Sequence, residues 1–296
     1  MSKLTGIMCL LLLVGVGCSD VSVSTDEEHA PDLNTALLPI IDFHTHVNPG
    51  SQAELETYVD DLVQVGRENG IDKMVMGLHA SHVPDRPPTY SSEHDEWALA
   101  AAERYPDVII PALNGFDPAD SEAVEYVREQ LETGKWKVIG ELDLRNKVKQ
   151  TKTAANTSTM MEIFELAGES GVPVIFHYDF DYGTDAASGI AELTEALDQN
   201  PDTIFIYAHT CGTQLVSLME AHENLYCEHE FGRVASGVDM DRVVLGTDMQ
   251  LHAGRWDLVR ADYERLIGKL RDAISSWSDD EQEKTASLTP AALLNL

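Results

Sequence analysis

The chain has 296 residues, 43% hydrophobic and 24% charged, which is ordinary globular composition with room for a sizeable core. Its formal net charge of −31 excludes nucleic acid as a partner class, because phosphate binding needs a basic face. Such an acidic surface fits a saline habitat or plain solubility better than any particular ligand.

The first element is a leader. Lys3 precedes "GIMCLLLLVGVGC", residues 6–18, an apolar run shorter than the roughly twenty residues a bilayer requires. It ends in small residues and Cys18, and it resembles a bacterial lipoprotein signal: residues 1–17 are removed and Cys18 becomes the lipidated N-terminus. Gly15 stands where that pattern usually has Leu, so ordinary signal-peptidase cleavage stays open, as does a retained anchor. Residues 18–37, polar, acidic and without periodicity, read as a flexible tether. The expectation is an exported protein, periplasmic or at the cell surface, anchored by lipid. Cys211 and Cys227 lie on predicted strands. Two cysteines imply no disulfide framework, and both are expected to be small buried apolar residues.

From about residue 38 short apolar runs alternate with segments of helical spacing. The runs are "LLPIIDFHTHV", "DKMVMGLHA", "DVIIPALNGF", "WKVIGELDLR", "PVIFHYDF", "TIFIYAHT", "NLYCEHE" and "RVVLGTDMQ". Helices are predicted between them, among others over 93–105, 119–133, 156–170 and 187–199. Runs apolar on both faces indicate parallel strands covered by helices. Eight of them within 38–296 match one (β/α)₈ barrel domain. A doubly wound sheet would also alternate, but no Gly-rich phosphate loop follows the first strand. Residues 231–240 are too short for a full helix, so one outer helix between strands seven and eight is expected to be missing. Residues 257–296 should form two helices closing the barrel's outside.

In such a barrel chemistry gathers at the C-terminal strand ends. Those ends carry His44 and His46 on strand one, Glu141 on strand four, His177 on strand five, His209 on strand six and Asp248 on strand eight. The two residues of "HTH" share one face of a strand. Singly, a histidine at a strand terminus is more often structural, Glu141 could be a solvated strand end, and Asp248 could cap a turn. Jointly, four histidines and two carboxylates at matching ends of a circular array are improbable as decoration. Neutral imidazole and carboxylate are the ligands of zinc and similar divalent ions.

"DFHTH", "GELDL", "IFHYD", "YAHTCG" and "LGTD", in this order, resemble the amidohydrolase superfamily, in particular its amidohydrolase-related metal-dependent hydrolases. "GELDL" is also similar to the glutamate strand of TatD-type enzymes. The resemblance implies that His44 and His46 bind the more buried ion with Asp248, and that His177 and His209 hold a second, bridged by Glu141. In mononuclear relatives the residue at His177 joins the first metal and the one at His209 turns to substrate or water. Many relatives bridge with a carboxylated lysine on strand four, where this chain has Glu141, so one or two ions, zinc or manganese, remain open.

The implied chemistry is hydrolysis of a small amide, ester, lactone or phosphoester. The metal activates water, Asp248 carries its proton, and the metal or His209 polarises the scissile bond. Decarboxylation of an aromatic or unsaturated acid is the alternative, disfavoured by Glu141, and a non-catalytic metal- or solute-binding lipoprotein is a third reading. Arg145, on Glu141's strand face, is a candidate contact for an anionic substrate. Of His79, His82, His229 and His252 on the same rim, His229 is the candidate for substrate contact. Asp179 and Asp181 read as loop residues and Tyr178 as packing.

Overall fold

The structure, a computed structural model, describes residues 37–48, 52–77, 89–252 and 258–296. The leader, Cys18 and the tether lie outside the described residues, as do His79, His82 and the side chain of His252. Among the described residues no helix is long and apolar enough to cross a membrane.

Strand and helix alternate as β1 Ile40–Asn48, α1 Gln52–Glu68, β2 Ile71–Gly77, α2 Ser92–Arg104, β3 Ile109–Leu113, α3 Ala123–Glu132 and β4 Val138–Asn146. There follow β5 Thr151–Lys152, α4 Ser158–Ser170, β6 Val174–Tyr178, α5 Ala186–Gln199, β7 Phe205–Tyr207, α6 Thr213–Ala221 and β8 Leu225–His229. Between β8 and β9 (Val243–Leu245) lies only the 3₁₀ turn Met240–Arg242, so the expected outer helix is indeed missing. After β10 (Met249–His252) come α7 Val259–Ile274, α8 Asp279–Glu283, a π-helical turn Lys284–Leu288 and α9 Thr289–Leu293. Local chemistry sets the helix ends. Ser91, Thr157 and Asp185 accept first-turn N–H groups as N-caps, and Gly171 ends α4 at φ 63°.

The main strands pair in parallel, β1 to β2, β3, β4, β6, β7, β8 and β9, while β5 folds back antiparallel on β4. β9 and β10 act as two halves of the eighth strand: β9 pairs with β8 and β10 with β1, which closes a (β/α)₈ barrel. Its interior is filled by Ile41, Phe43, Val75, Ile110, Ala112, Val138, Ile175, Ile206, Ala208 and Val244. A larger apolar layer packs between strands and helices. The C-terminal segment departs from expectation. α7 packs outside, against α1, but Leu294 is buried in the interior cluster, with Ala291 and Leu293 against it. Alanine and leucine at the chain's end thus plug the barrel rather than cover its flank.

Two irregular strands matter for the site. On β1, one extra residue between Asp42 and Thr45 breaks the register with β2. Such a bulge breaks the two-residue alternation, so Phe43 faces the barrel interior and His44 and His46 still face its mouth. On β4 the register with β6 shifts between Ile139 and Leu142 and again between Asp143 and Arg145.

The expectation for the two later cysteines needs correction. Both are buried, but they form a disulfide. Cys227 lies on β8 as expected, but Cys211 lies in the loop between β7 and α6 rather than on a strand, and that loop brings the two Cα atoms to 5.4 Å, within bonding range.

Candidate metal centre

Six side chains converge where the strand ends meet the barrel mouth. His44 and His46 come from β1, Glu141 from β4, His177 from β6, His209 from the turn after β7, and Asp248 from the break between β9 and β10. His44 Nε2 and His46 Nε2 are 2.7 Å apart. Glu141 divides its oxygens between two histidine pairs. Oε2 lies 3.3 Å from His46 Nε2 and 3.6 Å from His44 Nε2. Oε1 lies 2.8 Å from His209 Nε2 and 3.4 Å from His177 Nδ1. Asp248 Oδ1 is 3.4 Å from His46 Nε2, and its Oδ2 is 3.7 Å from His209 Nδ1. Three overlapping groups have ligand atoms within 4.8 Å of one another: His44, His46 and Glu141; His44, His209 and Asp248; Glu141, His177 and His209.

The surroundings hold these groups in place. His44 Nδ1 donates to Glu228 Oε2 at 2.8 Å. His177 Nε2 faces Asp179 Oδ2 at 3.2 Å, so Asp179, expected only as a loop residue, orients a candidate ligand. His209 and Asp248 adopt left-handed backbone conformations, φ 68° and 46°, costly for non-glycine residues and found where the surroundings enforce them. For Asp248 the enforcement is visible. Asp42 accepts from the backbone N–H of Thr247 at 2.9 Å, its hydroxyl at 2.7 Å and the hydroxyl of Tyr263 at 2.9 Å. That fixes the turn from which Asp248 projects.

The electrostatics ask for a cation. With its Nδ1–H bonded to Glu228, His44 turns Nε2 toward His46 and Glu141. Acceptors crowded in this way repel unless a proton or a metal ion sits among them. Burial opposes protonation of His44, but Glu228 and Glu141 outweigh it and hold the pKa well above the ordinary imidazole value. Burial likewise opposes ionisation of Glu141 and Asp248, yet both stay well below the usual carboxylate range. Lys149, His209 and His44 act on Glu141, and His46, His44 and His209 on Asp248. A buried set of imidazoles and ionised carboxylates fits a divalent transition metal. His44, His46, Glu141 and Asp248 could hold one ion, and Glu141, His177 and His209 another.

Two candidate substrate contacts turn away from the centre. The second register shift on β4 turns Arg145 off Glu141's face. Its guanidinium donates to both Glu192 oxygens of α5 at 2.9 Å, to Tyr178 Oη at 3.1 Å and to the Tyr182 carbonyl at 2.7 Å. His229 is 2% exposed, its ring 5.2 Å from that of Trp277. On β8 it is the neighbouring residue, Glu228, that faces inward. Tyr178 is buried in the strand–helix layer, as expected for packing.

Sequence reasoning passed over Glu228, Asp143 and Lys149. The ammonium of Lys149 lies 2.9 Å from Asp143 Oδ1 and 3.5 Å from Glu141 Oε2, and all three are buried. Period-two alternation through "LDL" and "YCE" was a usable signal for Asp143 and Glu228. Lys149 carried none, because it comes from the turn between β4 and β5.

The sequence model of the family described as Amidohydrolase matches residues 41–296. A search among curated proteins finds no match. Solved structures share the fold. An uncharacterized TIM-barrel protein from Bordetella bronchiseptica superposes with a TM-score of 0.58 at 16% identity, over 87% of this chain and 99% of the other. For 2,6-dihydroxybenzoate decarboxylase from Rhizobium the values are 0.61, 13%, 88% and 99%. For 5-carboxyvanillate decarboxylase from Novosphingobium aromaticivorans, complexed with manganese, they are 0.54, 11%, 88% and 97%. With its barrel spanned by that match, the chain belongs to the amidohydrolase family.

Proposed function

We propose that this protein is a metal-dependent hydrolase of a small amide, ester, lactone or phosphoester. The observation that carries the reading is the division of Glu141, one oxygen toward His44 and His46 and the other toward His177 and His209. That is the disposition a carboxylate needs to bridge two ions. A divalent ion held there would supply Lewis acidity, with which water can be activated at a pKa of about 7. Asp248, ionised and partly exposed, is placed to take a proton from the attacking water and return it to the leaving group. His209, anchored on Glu141, has Nδ1 3.5 Å from Glu230 Oε2 and 3.7 Å from Asp248 Oδ2.

A single-ion decarboxylase is the second reading. It is favoured by the grouping of His44, His209 and Asp248, which would serve one ion alone, and two structural neighbours are named decarboxylases. The deciding experiment loads the purified protein with zinc or manganese. It then measures ions per chain and turnover on lactones, amides, phosphoesters and aromatic carboxylates. Hydrolytic turnover supports the proposal. Carbon dioxide release with one ion per chain selects the second reading, and stoichiometric metal without any turnover leaves a binding protein and overturns both.

We also propose that the protein works outside the cytoplasm, tethered through Cys18. The Cys211–Cys227 disulfide supports this, because such bonds persist in oxidising compartments.

A further inference from the structure

We propose that Glu228 is a positioning residue that presets the centre for metal, acting on His44 and His209 together from a slot kept open by Gly246. The inference rests on the metal reading above. Glu228 belongs to none of the groupings whose atoms could hold an ion, yet it is 0% exposed. A buried carboxylate is costly unless it is hydrogen-bonded, so its partners show what it is for. One oxygen, Oε2, accepts both from His44 Nδ1 at 2.8 Å and from the backbone N–H of His209 at 3.0 Å. The first bond fixes the tautomer and ring plane of His44, leaving Nε2 with its lone pair toward the centre. The second fixes the backbone that carries His209 at φ 68°. One atom therefore sets a ligand from each of the two histidine pairs. The other oxygen, Oε1, has no hydrogen-bond partner among the described residues and faces Gly246. A Cβ on Gly246 would collide with Oε1 and would stand 2.7 Å from His44 Cβ. The glycine of "LGTD" thus makes room for Glu228.

Partners of this kind are worth about 10- to 100-fold in metal affinity. The test is competition of a chelator against zinc and against manganese, with the full protein. Wild type, Glu228→Gln, Glu228→Ala, Gly246→Ala and the double variant Gly246→Ala/Glu228→Ala are compared, with folding checked by circular dichroism. Glu228→Ala should weaken binding by roughly 10- to 100-fold. Glu228→Gln, which keeps an acceptor oxygen but not the charge, should weaken it less. Gly246→Ala should weaken binding at least as much as Glu228→Ala, because its Cβ would collide with Oε1 and also press on His44 Cβ, and in the double variant the first of these collisions is relieved. Should Glu228→Ala or a Gly246→Ala variant fail to fold, the near-isosteric Glu228→Gln decides alone. Wild-type affinity in every folded Glu228 variant overturns the inference. Absence of metal binding by wild type instead overturns the metal reading beneath it.

Discussion

Lys149 and Asp143 form a buried ion pair at 2.9 Å beside the metal centre, and Glu141 shares the same ammonium at 3.5 Å. Burial raises the pKa of Asp143, and the Lys149 ammonium opposes that shift. Lys149→Met keeps the side-chain length and removes the charge. It should lower stability by about 3–5 kcal/mol, the usual cost of leaving a buried charge uncompensated. Added zinc should recover part of that loss, because an ion at Glu141 replaces some of the missing charge. Urea denaturation with and without metal measures both effects. Stability within 1 kcal/mol of wild type would show that the pair is not a structural element.

The disulfide closes a loop with a sequence separation of 16, for which chain entropy gives about 3 kcal/mol. Cys211→Ser/Cys227→Ser should therefore lose roughly that much, and wild type should lose a similar amount on reduction. Reductant should not affect the double variant. A urea midpoint that reductant leaves unmoved in wild type would mean the cysteines are not joined in the native protein.

Much of the architecture was legible because each barrel strand is an apolar run ending in a polar residue. The six residues at those ends meet at one mouth because parallel strands present their ends together. What could not be read depends on register and on neighbours distant in the chain. An extra residue on β4 decides that Arg145 leaves the face of Glu141. Lys149 arrives from a turn that no periodicity marks. Cys211 and Cys227 read as isolated apolar residues because only the path of the loop after β7 carries Cys211 against β8. His229 and Glu228 are adjacent in the chain, and only the phase of β8 tells which of them points inward.

Asp95 offers a pH test remote from the ligands. It sits on α2, buried, and accepts from Tyr126 Oη at 2.6 Å and from the N–H groups of Asn114 and Gly115. Burial nevertheless pushes its pKa up to about 6, above the unfolded value of about 3.9. The folded state therefore binds the proton more tightly. The stability this contributes is present below about pH 4 and is lost as pH rises through about 6. Asp95→Asn has no such proton, so wild-type stability minus variant stability should fall by about 2 kcal/mol between pH 4 and pH 7. Urea unfolding of both proteins across that range tests it. A difference that stays flat or rises would contradict the raised pKa.

Export can be tested by mass. Wild type from its native cell should begin at Cys18 and carry acyl chains, and Cys18→Ser should carry none. Intact-mass measurement showing Met1 retained and no acyl chain in wild type would overturn the leader reading.

Glu141→Gln separates the two readings of the centre. If Glu141 bridges two ions, the change removes a negative charge from between two cations in a poorly solvated site, where such charges weigh most. The ion held by His177 and His209 should be lost or weakened first, because those histidines share only Glu141 as their carboxylate among the groupings that include both. His44, His46 and Asp248 still offer three ligands to the other ion. Hydrolytic activity should fall with the second ion and return in part when metal is added in excess. A single-ion centre built on His44, His209 and Asp248 behaves differently, since Glu141 is not among its ligands: stoichiometry stays at one and affinity changes little. Metal content and activity of wild type and variant, measured side by side across a metal titration, tell these outcomes apart. One ion in both proteins at saturating metal would defeat the two-ion centre.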